Sequence, residues 1–230
     1  MIYLDYASAT PLDPQVLEAM RPWLENEYSN PSAVYQSAQK ARAALDMART
    51  SVADFLNAKP LEIIFTGSGT ESCNLALRGI VESWMLKHPG EKPHIITSTI
   101  EHSAVLKTLK HLERLEGIAV SYLPIDRNGI VQIDQLPSLI RPETILVSIM
   151  MVNNEIGTLQ PVERIGQICR EKGVLFHTDA CQAAPYFDLD TKRIQADLLS
   201  INASKMYGPK GVGVLFVREG VEITPLIHGG

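Results

Sequence analysis

What this 230-residue sequence has little of narrows the possibilities first. Cysteine is scarce: Cys73, Cys169 and Cys181 are an odd number without CxxC spacing. Neither a disulfide framework nor a zinc site is expected, and the three read as reduced thiols. Lys and Arg are nowhere clustered and the formal net charge is −5, which gives no electrostatic reason to expect nucleic acid or an anionic membrane surface as a partner. No apolar run approaches the roughly 18 residues of a membrane span. The N-terminus, MIYLDYAS, lacks both the basic and the apolar stretch of a secretory leader. A cytoplasmic location is the expectation. Internal repeats, low-complexity tracts and obvious linkers are also missing.

What is present is the composition of a globular chain with a full core, 45% hydrophobic and 20% charged. Short β-branched runs alternate with helical periods, which predicts an α/β protein with a largely parallel sheet. Asp13-Pro14 reads as an N-cap and first-turn proline ahead of Val16, Leu17, Met20, Trp23 and Leu24 at helical spacing. A second amphipathic helix is expected over 37–56, with others over 70–85, 103–115 and 162–171. Seven strands are expected, over 62–66, 94–98, 119–123, 144–150, 174–177, 197–201 and 213–217. An open doubly wound sheet of this kind binds ligands beyond the carboxyl ends of its strands, so the residues that follow each strand carry the information.

Gly67-Ser68-Gly69-Thr70 follows the first strand and opens a helix. Free N–H groups and the positive end of the helix dipole suit a phosphate there; the alternative is a tight turn with Thr70 as N-cap. Glu101-His102 follows the second strand, where an imidazole can lie on a planar ring and shuttle a proton, or simply start a helix. Asn153-Asn154-Glu155 offers amides, or a turn. Asp179 and Gln182 follow the 174–177 strand; the carboxylate can partner a pyridinium nitrogen or cap a helix. Asn202-Ala203-Ser204-Lys205 closes the 197–201 strand ahead of a Gly/Pro loop. A lysine held near a buried sheet is a candidate Schiff-base amine; most lysines are merely solvated. Together these five strand ends carry the parts of a pyridoxal-phosphate site.

The segments YLDYASATPLDP at Tyr3, NPSAVY at Asn30, FTGSGTESCNLA at Phe65, EHSAVL at Glu101, VNNEIGTLQP at Val152, HTDACQAAP at His177 and INASKMYGPKGVG at Ile201 span nearly the whole chain. In that order they resemble the cysteine desulfurases, a class V aminotransferase-type branch of the fold-type I pyridoxal-phosphate enzymes. The resemblance implies a three-layer α/β/α large domain over 16–230 with a mostly parallel seven-stranded sheet, an N-terminal arm over 1–15, and a small C-terminal domain largely absent. It implies that Lys205 bonds the cofactor aldehyde, that Asp179 contacts the pyridine nitrogen, and that Gln182 and Asn154 bond the phenolic oxygen. His102 would stack on the ring and act in acid/base steps, and Gly69 and Thr70 would hold the phosphate together with Asn202 and Ser204. The implied reaction takes L-cysteine to L-alanine and passes persulfide sulfur to an acceptor or scaffold protein, in a homodimer. A related aminotransferase or lyase, and a non-catalytic scaffold, are the alternatives.

Three features depart from the family pattern. The family's nucleophilic cysteine lies beyond Gly230, and none of Cys73, Cys169 and Cys181 stands in its place. Relatives carry serine and histidine where this chain has Asn202 and Ser204. Both replacements still donate hydrogen bonds, but loss of a cationic partner predicts weaker hold on a dianion. Tyr35 stands where the family usually has histidine.

Overall fold

The computed structural model describes residues 2–229. Its centre is a seven-stranded sheet made of β1 (Ile63–Thr66), β2 (His94–Ser98), β3 (Ala119–Leu123), β4 (Thr144–Ser148), β5 (Leu175–Asp179), β6 (Leu198–Asn202) and β7 (Gly213–Val217). The strand order is β1-β7-β6-β5-β4-β2-β3. Only β7 runs against its neighbours, pairing antiparallel with β1 and β6. The chain moves outward from β2 to β3, then returns to place β4 on the other side of β2. That reversal is the topological switch point where such sheets form a crevice.

The described residues form seven α-helices: α1 (Pro14–Glu25), α2 (Gln36–Phe55), α3 (Gly69–Lys87), α4 (Ser103–Leu115), α5 (Leu136–Leu139), α6 (Val162–Lys172) and α7 (Thr191–Ile194). Alternation along each strand sends successive side chains to opposite faces. Ile95, Leu146, Leu198 and Leu215 therefore pack with Leu77, Ile80 and Val81 of α3 and Val105 and Leu109 of α4. Ile96, Val147, Leu199 and Phe216 point the other way, into a core shared with Ala53 of α2, Leu136 of α5, Ile165 of α6 and Ile194 of α7. The result is the expected three-layer α/β/α arrangement.

Local chemistry sets the helix ends that face the crevice. Ser68 caps α3, accepting from Glu71 N–H at 3.1 Å, while Glu71 accepts from Gly67 N–H at 2.8 Å. This reciprocal cap holds the turn before α3, and it moves the N-cap from Thr70, the alternative raised by sequence, to Ser68. Gly213 lets that turn sit on β7: a Cβ there would lie 2.4 Å from the Ser68 carbonyl carbon. Asp13 caps α1 as expected, accepting from Gln15 N–H at 2.7 Å. No helix among the described residues is long and apolar enough to cross a membrane.

Candidate active site

Because β1 and β6 run parallel to β2, β4 and β5, all five carboxyl ends open at one edge of the sheet. A cavity of about 560 Å³ lies there. Its lining includes all nine residues singled out from sequence: Gly69, Thr70, His102, Asn154, Asp179, Gln182, Asn202, Ser204 and Lys205. Glu155, named with Asn154 from sequence, and Cys181 also line it, and the lining residues that sequence reasoning missed are Asp5, Ala7 and Ser8 of the N-terminal arm and Met150 and Val152 after β4.

Lys205 ends a short 3₁₀ turn after β6, and its ammonium donates to the carbonyls of Ala7 at 2.7 Å and Ser8 at 2.6 Å. Gln182 Nε2 donates to the same Ala7 carbonyl at 2.7 Å. The arm is tied down beside the lysine. Thr10 N–H and Oγ1 both donate to Ser204 O, and Tyr207 N–H donates to Thr10 Oγ1 at 2.8 Å.

Asp179 is the last residue of β5 and is 6% exposed. One oxygen accepts from Cys181 N–H at 3.0 Å, and the residue lines the cavity. Asn202 accepts from Ser204 N–H through Oδ1 at 3.2 Å, so its Nδ2 is free to point at the start of α3. His102 is both a pocket residue and the N-cap of α4. Its Nδ1 accepts from Ala104 N–H at 3.1 Å, which in the neutral ring puts the proton on Nε2. Asn154 Nδ2 donates to Glu155 Oε1 at 2.6 Å.

Two buried groups stand just behind the lining. Glu101, 5% exposed, accepts from Ser98 Oγ at 2.6 Å and from Met150 N–H at 2.9 Å; burial pushes its carboxyl up to about 8, against the lowering effect of those bonds and with the Asp179 charge adding to the rise. His177 bridges three strands, with Nδ1 2.8 Å from Ser148 Oγ and Nε2 3.0 Å from Ser200 Oγ, and burial lowers it to about 4. It is neutral at pH 7. The thiols are shifted the other way: burial pushes Cys169 up to about 12 and raises Cys73 and Cys181 well above the ordinary range. Among the described residues no group of three or more His, Cys, Asp or Glu side chains gathers as metal ligands.

Comparison with known proteins follows the same chemistry. The family model described as aminotransferase class-V matches residues 2–230. The chain is 47% identical over 229 residues to a cysteine desulfurase IscS of Clostridium botulinum, 47% to one of Dictyoglomus turgidum and 45% to one of Methanosarcina thermophila. All of this chain is covered in each case, but only 56%, 57% and 55% of the relative. The chain thus spans little more than half the length of the curated relatives it matches. Among solved structures, one described as SspA in complex with cysteine superposes with a TM-score of 0.95 at 45% identity, over 100% of this chain and 65% of that one. A NifS-like protein superposes with a TM-score of 0.94 at 40% identity, over 100% of this chain and 62% of that one. Matched along 2–230 by the family model, the chain belongs to the class-V aminotransferase family and within it is similar to the cysteine desulfurases.

Proposed function

We propose that this chain forms the pyridoxal-phosphate pocket of a cysteine desulfurase, which converts L-cysteine to L-alanine and hands persulfide sulfur to an acceptor or scaffold protein, for iron–sulfur cluster or thio-cofactor synthesis. The observation that carries the reading is the meeting, in one cavity, of a lysine amine, a buried carboxylate and the open N-terminus of a long helix.

The residues present fit the cofactor. A Cβ at Gly69 would lie 2.6 Å from Cys181 Sγ and 3.1 Å from Asn202 Cβ, so glycine keeps open the hollow that a phosphate needs against the first N–H groups of α3. Gly69 and Thr70 N–H, the free Asn202 Nδ2 and the Ser204 hydroxyl form a neutral donor set. Without a cation among them, affinity is expected to be lower than in relatives that carry histidine at 204. Asp179 would hold the ring nitrogen, and the Asn154 and Gln182 amides would hold the phenolic oxygen.

The bound cofactor supplies an aldehyde for the lysine amine and a ring that withdraws electrons from the substrate. The protein's own residues do the rest. Lys205 would give up its two carbonyl partners for the aldehyde and would be the proton carrier at the substrate. His102 would face the ring, with its proton at Nε2. Attack on the substrate sulfur needs an accessible thiolate. Burial raises the thiols of Cys73, Cys169 and Cys181, and the sulfur-accepting role is assigned to none of them. A cytoplasmic homodimer is part of the same reading, consistent with the exposed Leu24, Tyr28, Val34 and Met47 around α1 and α2.

The test is a titration of the purified chain with pyridoxal phosphate, wild type against Lys205→Ala. A visible absorption band that forms only with Lys205 is expected, and a band of equal strength in the variant sinks the reading. Alanine plus sulfide from cysteine supports the desulfurase; a keto acid with transfer of the amine points to an aminotransferase.

A further inference from the structure

Two loops bring His102 and Asn154 to the pocket, one after β2 and one after β4, and these strands are neighbours at the switch point. Their spacing is held by two hydrogen-bonded ties behind the lining. The first is Glu101: Ser98 Oγ on its own loop donates to Oε1 at 2.6 Å, and Met150 N–H across the gap donates to Oε1 at 3.1 Å and Oε2 at 2.9 Å. The second is Asn153, whose Nδ2 donates to Ile100 O at 2.8 Å while its Oδ1 accepts from Glu155 N–H at 2.9 Å and Ile156 N–H at 3.0 Å. Glu101 and Asn153 are each 5% exposed and lie next in sequence to His102 and Asn154.

We infer that Glu101 is a positioning residue, which by joining the β2 and β4 loops fixes the gap between the imidazole of His102 and the amide of Asn154. The alternative, a carboxylate kept only for its charge, is disfavoured by the site itself. A second buried negative charge beside Asp179 is costly, and burial raises the Glu101 carboxyl to about 8, so near pH 7 it is mainly the neutral acid. A neutral group that accepts from Met150 N–H and bonds Ser98 is matched by glutamine. An alanine leaves the Met150 N–H without its partner and lets the loops part.

The inference rests on the proposed pyridoxal-phosphate site, and the experiment separates the two. Wild type, Glu101→Ala, Glu101→Gln and Asn153→Ala are titrated with pyridoxal phosphate, recording affinity, the pH midpoint of the visible band, and Tm. Glu101→Ala is expected to bind about tenfold more weakly with a displaced midpoint, because each lost buried hydrogen bond removes roughly one such factor. Glu101→Gln is expected to restore both to within about twofold. Asn153→Ala, which cuts the other tie, is expected to move the midpoint in the same direction, and it carries the test if Glu101→Ala does not fold. Glutamine behaving like alanine with a wild-type Tm overturns positioning in favour of charge. Unaltered affinity and midpoint in the alanine variants, whatever their Tm, also overturn it. No band in the wild type defeats the functional reading and this inference with it.

Discussion

The Lys205 ammonium and the Ala7 carbonyl, 198 positions apart, are 2.7 Å from one another. Ser8 O completes the clasp at 2.6 Å, and Gln182 reaches the same Ala7 oxygen. The arm therefore engages the Lys205 amine at the edge of the cavity that this lysine lines.

Removing the clasp should expose that amine. A variant lacking residues 2–8 is expected to react several-fold faster at Lys205 with a small amine-directed acylating reagent, read by mass spectrometry of the Lys205 peptide. Equal labelling rates in the two proteins would mean that the arm does not guard the lysine.

Gly69→Ala should close the phosphate hollow. Its Cβ would sit 2.6 Å from Cys181 Sγ, inside contact distance. Binding of pyridoxal phosphate is expected to weaken by about tenfold or more, a loss of roughly 1.4 kcal/mol. Adding Cys181→Ala removes the nearest atom and should recover part of it. Isothermal titration of the single and double variants checks both statements.

His177 should give the protein an acid-sensitive stability. Its folded value of about 4 lies below the ordinary 6.5, so the stabilisation is fully present above pH 6.5 and is lost as pH falls toward 4. The span corresponds to about 3 kcal/mol. Urea unfolding of wild type and His177→Gln from pH 4 to 7.5 should show the difference between them shrinking on acidification; a constant difference would remove the assignment of a neutral buried imidazole.

Glu101 has the opposite sign. Its folded value of about 8 lies above the ordinary 4.5, so its contribution is greatest below pH 4.5 and is lost as pH rises through 8. Glu101→Gln cannot ionise. Its unfolding free energy relative to wild type is expected to increase steadily between pH 5 and 8.5, and a flat comparison would show that the buried carboxyl does not change its proton occupancy on folding.

Packing sets a further limit at Gly166, in α6. A Cβ there would lie 2.0 Å from Ile194 O of α7, a backbone atom that cannot turn aside. Gly166→Ala is expected to cost about 2 to 3 kcal/mol, a fall in Tm of roughly 5 to 10 °C. A thermal melt within 2 °C of wild type would contradict the close approach of α6 and α7.

Much of the fold was legible in local pattern. The bounds of β2, β3, β7 and α4 coincide with those read from sequence, because apolar runs there are bracketed by turn residues and a clear N-terminus. The strand expected over 144–150 instead ends at Ser148, since Met150 N–H turns to the Glu101 carboxyl rather than to a neighbouring strand. The strand expected over 174–177 runs to Asp179 because pairing with Ser200 of β6 carries the ladder onward. The four-residue helices α5 and α7 went unseen, being too short to show a period. α1 was read correctly from its apolar spacing, yet none of its residues is buried among the described ones. Periodicity announces an apolar face without naming what covers it.

By itself the sequence determined the parallel α/β plan and the chemistry stationed at each strand end, since both are written in local spacing and in residue types that only strand mouths bring together. The tertiary structure alone decided that the arm at Ala7 and Ser8 lies over Lys205, and that Glu101 is joined to Met150 rather than facing solvent. Those contacts link residues 198 and 49 positions apart. No local propensity encodes them, because they arise only when the sheet sets its strand ends side by side and buries the groups between them.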